Sequence, residues 1–264
     1  MSRLFDGVND LITFGSETDI DALSALSVLC WIKPASAGEA ASRIINKAGS
    51  SAGSSGWRFV VDTGMVLGWN VDYDVTDLDV PTSTALAADV WSWIAVTWDG
   101  GLLASGVHIY INDAEASYGT TTNATLNRVS DAGNDLLVGN STNLTRTVDG
   151  RIAHVQLWNR VLSLVELAQA ARYPGAVQQG LLRYAPLFGA VSPEPDYTNL
   201  GTTGTVSGAT ASTDDPPING MFVVPTSNLY YAAKAAGAAE SITVDKWYHQ
   251  HPHADRTPKK MVAY

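Results

Sequence analysis

Cysteine is almost absent. Cys30 is the only one in 264 residues, so no disulfide can form within the chain. It sits in the apolar stretch LSVLCWI, which predicts a buried, inert thiol rather than a nucleophile. Charge is scarce too: 16% of residues are charged, with a net balance of −10. Phosphate binding needs clustered Lys and Arg. RTPKK near the C-terminus is the small basic cluster present, and it reads as a solvated end. Nucleic acid is therefore not an expected partner. No apolar run of 18 residues occurs, so no membrane-spanning helix is expected. The N-terminal MSRLFDGVND lacks the apolar core of a signal peptide. The chain as given is therefore expected to be made in a cytoplasm without a signal peptide.

Catalytic signatures are missing as well. H-E-x-x-H and a glycine-rich phosphate loop do not occur. The six glutamates, Glu17, Glu39, Glu115, Glu166, Glu194 and Glu240, are scattered. Glu194 and Asp196 lie in a Pro-rich stretch and read as a turn.

What the chain does have is β-chemistry. Apolar residues make up 45%, with 23 glycines among many Ser, Thr, Asn and Asp. Such a composition favours short strands joined by turns. LITF, ALSVLCWI, RIINK, WRFVVD, MVLGWNV, WSWIAVTW, VHIYIN, LLVG, RIAHVQLW and LLRYAPL read as strands, with GTVSGAT as a weak last one. Ile94, Val96 and Trp98 alternate with Trp93, Ala95 and Thr97; Val107, Ile109 and Ile111 share a face; Ala153, Val155 and Leu157 alternate with His154 and Gln156. Asp6-Gly7, Asp99-Gly100 and Asp149-Gly150 carry hairpin chemistry. Ser163, with Glu166 three residues on, opens a helix over LVELAQAAR as a capping box, and Tyr173-Pro174-Gly175 closes it. The helix is expected over one end or face of the sandwich. The spacing predicts an all-β antiparallel sandwich with one short helix. After DDPPI the character changes: residues 219–264 read as a C-terminal extension, packed on residues 1–218 or serving as an arm for a partner.

LFDGVNDLITFG, LSVLCWIKP, WSWIAVTWDGG with VHIYINDAEA, LLVGN and DGRIAHVQLWNRVLSLVEL follow one another in the order found in laminin-G-like domains. Over residues 3–172 the chain resembles that family, within the concanavalin-A-like lectin and glucanase jelly rolls. The segment LLRYAPLFGAVSPEPDYTNLGTTGTVSGAT resembles the one that closes such domains in many bacteriophage and environmental proteins. The resemblance implies a jelly roll of two antiparallel sheets, one concave. Its glucanases place paired carboxylates on one strand as E-x-D-x-E or E-x-D-x-x-E, a pattern this chain lacks, so no enzyme is expected.

Candidate binding residues follow. Trp31, Trp93, Trp98 and Trp158 read as core. Trp57, Trp69 and Trp91, near turns, together with Tyr73, are expected to offer exposed rings for sugar stacking. Asp72, Asp74, Asp77 and Asp79 in VDYDVTDLDV are the oxygen ligands calcium favours, or else a solvated acidic edge strand. No cofactor is required. His249, His251 and His253 would share a face if extended and could bind zinc, nickel or iron. With Met221, Phe222, Tyr230, Tyr231, Trp247 and Tyr248 they are expected to anchor a partner, including a second copy of the chain. Asn123, Asn140 and Asn143 match N-x-S/T by chance composition. These features together suggest a virion structural protein, decorating a capsid or tail and contacting a major capsid or tail protein, with glycans as ligands. It is expected to be made in a host cytoplasm and to reach the virion surface without a signal peptide. A free carbohydrate-binding or adhesion module is the alternative, and a glycoside hydrolase trails both.

Overall fold

The computed structural model describes residues 1–49, 55–189, 192–198 and 203–219. In chain order the strands are β1 (Ser2–Asp6), β2 (Leu11–Thr13), β3 (Leu26–Pro34), β4 (Ser42–Ala48), β5 (Gly56–Asp62), β6 (Val66–Val71), β7 (Leu78–Ala85), β8 (Ser92–Trp98), β9 (Val107–Ile111), β10 (Ala114–Glu115), β11 (Leu137–Val138) and β12 (Asp149–Trp158). Helix α1 (Leu164–Arg172) follows, then β13 (Leu181–Ala185), β14 (Thr205–Ser207) and β15 (Thr210–Ser212).

The strands form two antiparallel sheets. Sheet 1 runs β10-β9-β8-β3-β12-β1-β15, with β13 also on β12; sheet 2 runs β14-β2-β11-β4-β5-β6-β7. Because side chains alternate along a strand, each sheet sends one set inward. Val28, Cys30, Ile32, Ile94, Val96 and Trp98 of sheet 1 meet Ile45, Trp57, Phe59, Trp69, Val71 and Val80 of sheet 2 in one buried core. This is the expected sandwich, and the alternation in β8 and β9 is as read from the sequence.

The other face of sheet 1 builds a second core. Leu29, Trp31, Trp93, Ala95, Ala153 and Trp158 are buried beneath Leu167, Ala170 and Ala171 of α1. The helix begins where predicted: Ser163 Oγ accepts the Glu166 N–H, and the Glu166 carboxylate accepts the Ser163 N–H. The buried indoles find acceptors, Trp31 Nε1–H at Ala171 O (2.9 Å) and Trp158 Nε1–H at Val177 O (2.8 Å). Helix and sheet are thus tied by hydrogen bonds as well as by area.

Three local readings are corrected. In β12 a bulge between Ala153 and Gln156, with His154 at φ 53°, breaks the alternation. The extra residue turns Ala153 to the helix side while Val155 and Leu157 face the inter-sheet core. Asp149-Gly150 is not a hairpin turn but the start of β12; Gly150 is needed there because a Cβ would strike the Lys33 carbonyl and Pro34. GTVSGAT is two short strands, β14 in sheet 2 and β15 in sheet 1, so the chain changes sheet at Gly208 (φ 80°).

The loop of Glu194 and Asp196 is more than a turn. Glu194 is buried and accepts from Arg3 Nε at 2.5 Å, and Asp196 accepts the Tyr184 N–H. Burial raises both carboxyls above their ordinary range. After β15, Asp214 joins Lys33 (2.7 Å), and Ile218 packs on the helix-side core; the Asn219 N–H donates to Arg172 O (3.2 Å).

Candidate functional site

α1 and residues 214–219 lie over sheet 1; on the outer face of sheet 2, which they do not cover, Asn70 and Asp79 are half-buried while Arg43, Asn46 and Arg58 are buried. Trp57, Phe59, Val61, Leu67, Trp69, Val71, Leu78 and Val80 point into the core. Their neighbours in sequence must therefore point out. Strand register then lines up one polar row: Asn46 opposite Arg58, Arg58 opposite Asn70, Asn70 opposite Asp79. Arg43 stands opposite Val60, one step along the same face, and is a diagonal neighbour of Arg58. Arg43 reaches this face because the register shifts between Arg43 and Ile45, which sends both Ile44 and Ile45 inward. Arg146 lies alongside, its carbonyl accepting the Arg43 N–H at 2.8 Å.

The row is internally wired but incompletely satisfied. Asn70 Nδ2 donates to Asp79 Oδ1, and Asn46 Nδ2 to Asn140 O (2.8 Å). Arg58 Nη1 pairs with Asp72 Oδ1 at 2.6 Å, both side chains buried. Two buried atoms have no hydrogen-bond partner among the described residues, the acceptor Asp72 Oδ2 and the donor Arg43 Nη1. Burial, with Arg58 and Arg146 as like-charged neighbours, pushes Arg43 down to about 9, so it stays cationic at neutral pH. Asp79 is raised by burial, against the opposing hydrogen bond from Asn70. A buried polar atom without a partner costs about 1–3 kcal/mol, so two on one face call for a ligand or water.

The expected aromatic platform is not on this face. Trp57 and Trp69 are wholly buried and stacked on one another, ring centroids 5.3 Å apart, with Trp98 beside them. Their strands alternate Trp with Arg58 or Asn70, and it is the polar partner that faces out. Tyr73 is buried too, its hydroxyl donating to Gly101 O (3.0 Å). Trp91 is half-buried on the other side of the molecule, where its indole N–H donates to Asp214 Oδ1 (2.8 Å). The four tryptophans read as core, Trp31, Trp93, Trp98 and Trp158, are all buried.

Nor are the four aspartates gathered. Asp72 and Asp79 face outward and hold Arg58 and Asn70. Asp77 accepts the Tyr73 N–H (2.9 Å) and Asp74 the Asn127 amide (3.1 Å), so these two serve the connection between β6 and β7. No group of three or more His, Cys, Asp or Glu among the described residues is placed to hold a metal ion. The stretch is not a free edge either. Residues 118–128 bridge to it at Tyr73–Arg128, Thr76–Thr125, Asp79–Thr122 and Thr82–Tyr118. Asn140 is fully buried within its loop, which removes it as a glycosylation acceptor. Met221, Phe222, Tyr230, Tyr231, Trp247, Tyr248, His249, His251 and His253 lie outside the described residues.

A second surface feature is a shallow depression of about 430 Å³ on α1, lined by Leu164, Val165, Ala168, Gln169, Tyr173 and the Asp113–Arg172 ion pair. Its lining is apolar apart from Gln169 and charges already spent on each other.

The sandwich topology invites comparison with known folds. A family model for the concanavalin A-like lectin/glucanases superfamily, of the laminin-G-like kind, matches residues 6–168. The chain belongs to this superfamily. No protein of curated function matches the sequence. Among solved structures, a candidate carbohydrate binding protein from Bacteroides ovatus is similar with a TM-score of 0.60 at 16% identity, over 83% of this chain and 61% of that one. The chain thus spans less than two thirds of that protein. Weaker likenesses are a sialidase CBM40 module from Ruminococcus gnavus (TM-score 0.46, 12% identity, 65% of this chain and 98% of that one) and a pentraxin from Limulus polyphemus (0.42, 12%, 65% and 85%). At these identities the likeness concerns the fold.

Proposed function

We propose that this chain is a non-catalytic carbohydrate-binding module that holds sugar against the outer face of sheet 2. The observation that carries this reading is the polar row on the sheet face that α1 does not cover, where half-buried Asn70 and Asp79 stand beside buried Arg58 and the unpartnered Asp72 Oδ2. Amides, a guanidinium and carboxylates are the donors and acceptors that sugar hydroxyls pair with. The superfamily and the Bacteroides ovatus neighbour support the same reading at the level of the fold. With Trp57 and Trp69 turned inward, binding to the described residues of this face rests on hydrogen bonds, and affinity for a short saccharide should be modest, around the micromolar to millimolar range. Glu194 and Asp196 do not read as a hydrolase pair, since the first is wholly buried against Arg3 and the second holds the Tyr184 and Thr198 backbone N–H groups through Oδ1. Display of this module on a virus particle belongs to the same proposal, suggested by the closing segment, which resembles that of bacteriophage and environmental proteins.

The test is a glycan array probed with the full chain and with an Asn70→Ala/Asp79→Ala variant. The proposal expects a defined set of glycans retained by the wild type and weakened tenfold or more in the variant. Retention of no glycan, or equal retention by both proteins, would contradict it.

A further inference from the structure

From the arginines on this face we infer that the saccharide is acidic: a carboxylate- or sulfate-bearing sugar whose anion meets Arg43 and Arg146 while its hydroxyls meet Asn70 and Asp79. The inference rests on the carbohydrate reading of sheet 2 and narrows its ligand class. Arg43 is 8% exposed, and its Nη1 is buried with no acceptor among the described residues. A guanidinium so placed strongly prefers an anion, because a buried charge without a counter-charge is costly. The local carboxylate is shared rather than dedicated: Asp72 Oδ1 is held by Arg58 Nη1 at 2.6 Å, and the charge that favours the Arg43 cation is the same one, so a single aspartate faces Arg43 and Arg58 with Arg146 beside them. Arg146, half-buried, adds a second cation at the same corner; its Nη1 donates to the neutral Ala40 carbonyl (2.7 Å), and it forms no ion pair among the described residues.

The chain carries a net charge of −10, and its other buried cations are paired: Arg3 with Glu194, Lys47 with Asp21, Arg183 with Asp19. Arg43 departs from that habit. Guanidinium forks favour carboxylate and sulfate-like oxyanions over neutral hydroxyls, since both bonds can form in parallel. The Asn and Asp side chains along the row supply what the rest of a sugar ring needs, which argues for an acidic saccharide over a bare inorganic anion.

The experiment measures binding of the full chain to three matched oligosaccharide sets, neutral, uronate-containing and sulfated, at low and high salt. The expected result is an acidic set bound at least tenfold more tightly than the neutral set, with the gap closing as salt rises. Arg43→Gln should abolish that preference; so should Arg146→Gln, which keeps the test open if Arg43→Gln fails to fold. Tightest binding of the uronates assigns a carboxylate, and of the sulfated set a sulfate. Neutral binding without acidic preference, or a preference that survives both substitutions, would overturn the inference and leave the carbohydrate reading standing. Binding of none of the three sets would overturn both.

Discussion

Replacing Trp69 by alanine separates a core role from a sugar-stacking role. The ring is wholly buried, stacks on Trp57 at 5.3 Å and meets Phe59 edge-on at 6.4 Å. A buried tryptophan removes roughly 150–250 Å² from water, which at about 25 cal/mol/Å² is about 4–6 kcal/mol as an upper bound. Measured Trp→Ala losses of about 3–5 kcal/mol sit just below that. About 4 kcal/mol is a large part of the 5–15 kcal/mol that holds a typical domain together. For a domain of this size the melting temperature should fall by roughly 8–16 °C. Trp69→Phe should lose less, because it keeps an aromatic ring and discards an indole N–H that has no acceptor among the described residues. Calorimetric melting of the three proteins gives the losses, and glycan binding below each midpoint gives the function. A loss under about 1 kcal/mol combined with abolished sugar binding would put the ring on the ligand surface and refute the assignment.

Three further outcomes follow from other residues. Ser163→Ala removes the oxygen that caps α1 and should cost about 1 kcal/mol, a drop of about 2–4 °C in a thermal scan. Burial depresses His154 to about 3, so it is neutral in the folded chain while the unfolded chain protonates below about 6.5. Its contribution is therefore complete above pH 6.5 and is lost as pH falls toward 3. The stability difference between wild type and His154→Gln should shift across that window by up to about 1.4 kcal/mol per pH unit, as read by denaturant melts; a flat difference would contradict it. Burial raises the Cys30 thiol far above its ordinary range, so a soluble disulfide reagent should leave the native chain unlabelled and label it once on unfolding.

Much of the fold was legible because period-two alternation is a local signal. WSWIAVTW and VHIYIN showed both their faces, and the capping box at Ser163 located α1 to the residue. The failures share a cause: tertiary register is not written locally. The bulges at Ala153–Gln156 and Arg43–Ile45 each switch a face by one residue, and no composition cue marks them. The site was harder. Proximity of Trp57 and Trp69 to turns suggested exposure, yet alternation within WRFVV and GWNV already placed the Trp residues opposite Arg58 and Asn70. A choice between the two faces needed the second sheet. Arg43 became visible only once β4 and β5 were paired and its Nη1 was found without an acceptor.

The central claim is that sugar is held on the outer face of sheet 2. Backbone amide shifts of the isotopically labelled chain, followed during titration with a glycan that the array retains, test it most directly. The account predicts shifts concentrated at Arg43, Asn46, Arg58, Asn70 and Asp79 across β4–β7. Shifts gathered instead on α1, around Val165 and Tyr173, would contradict it.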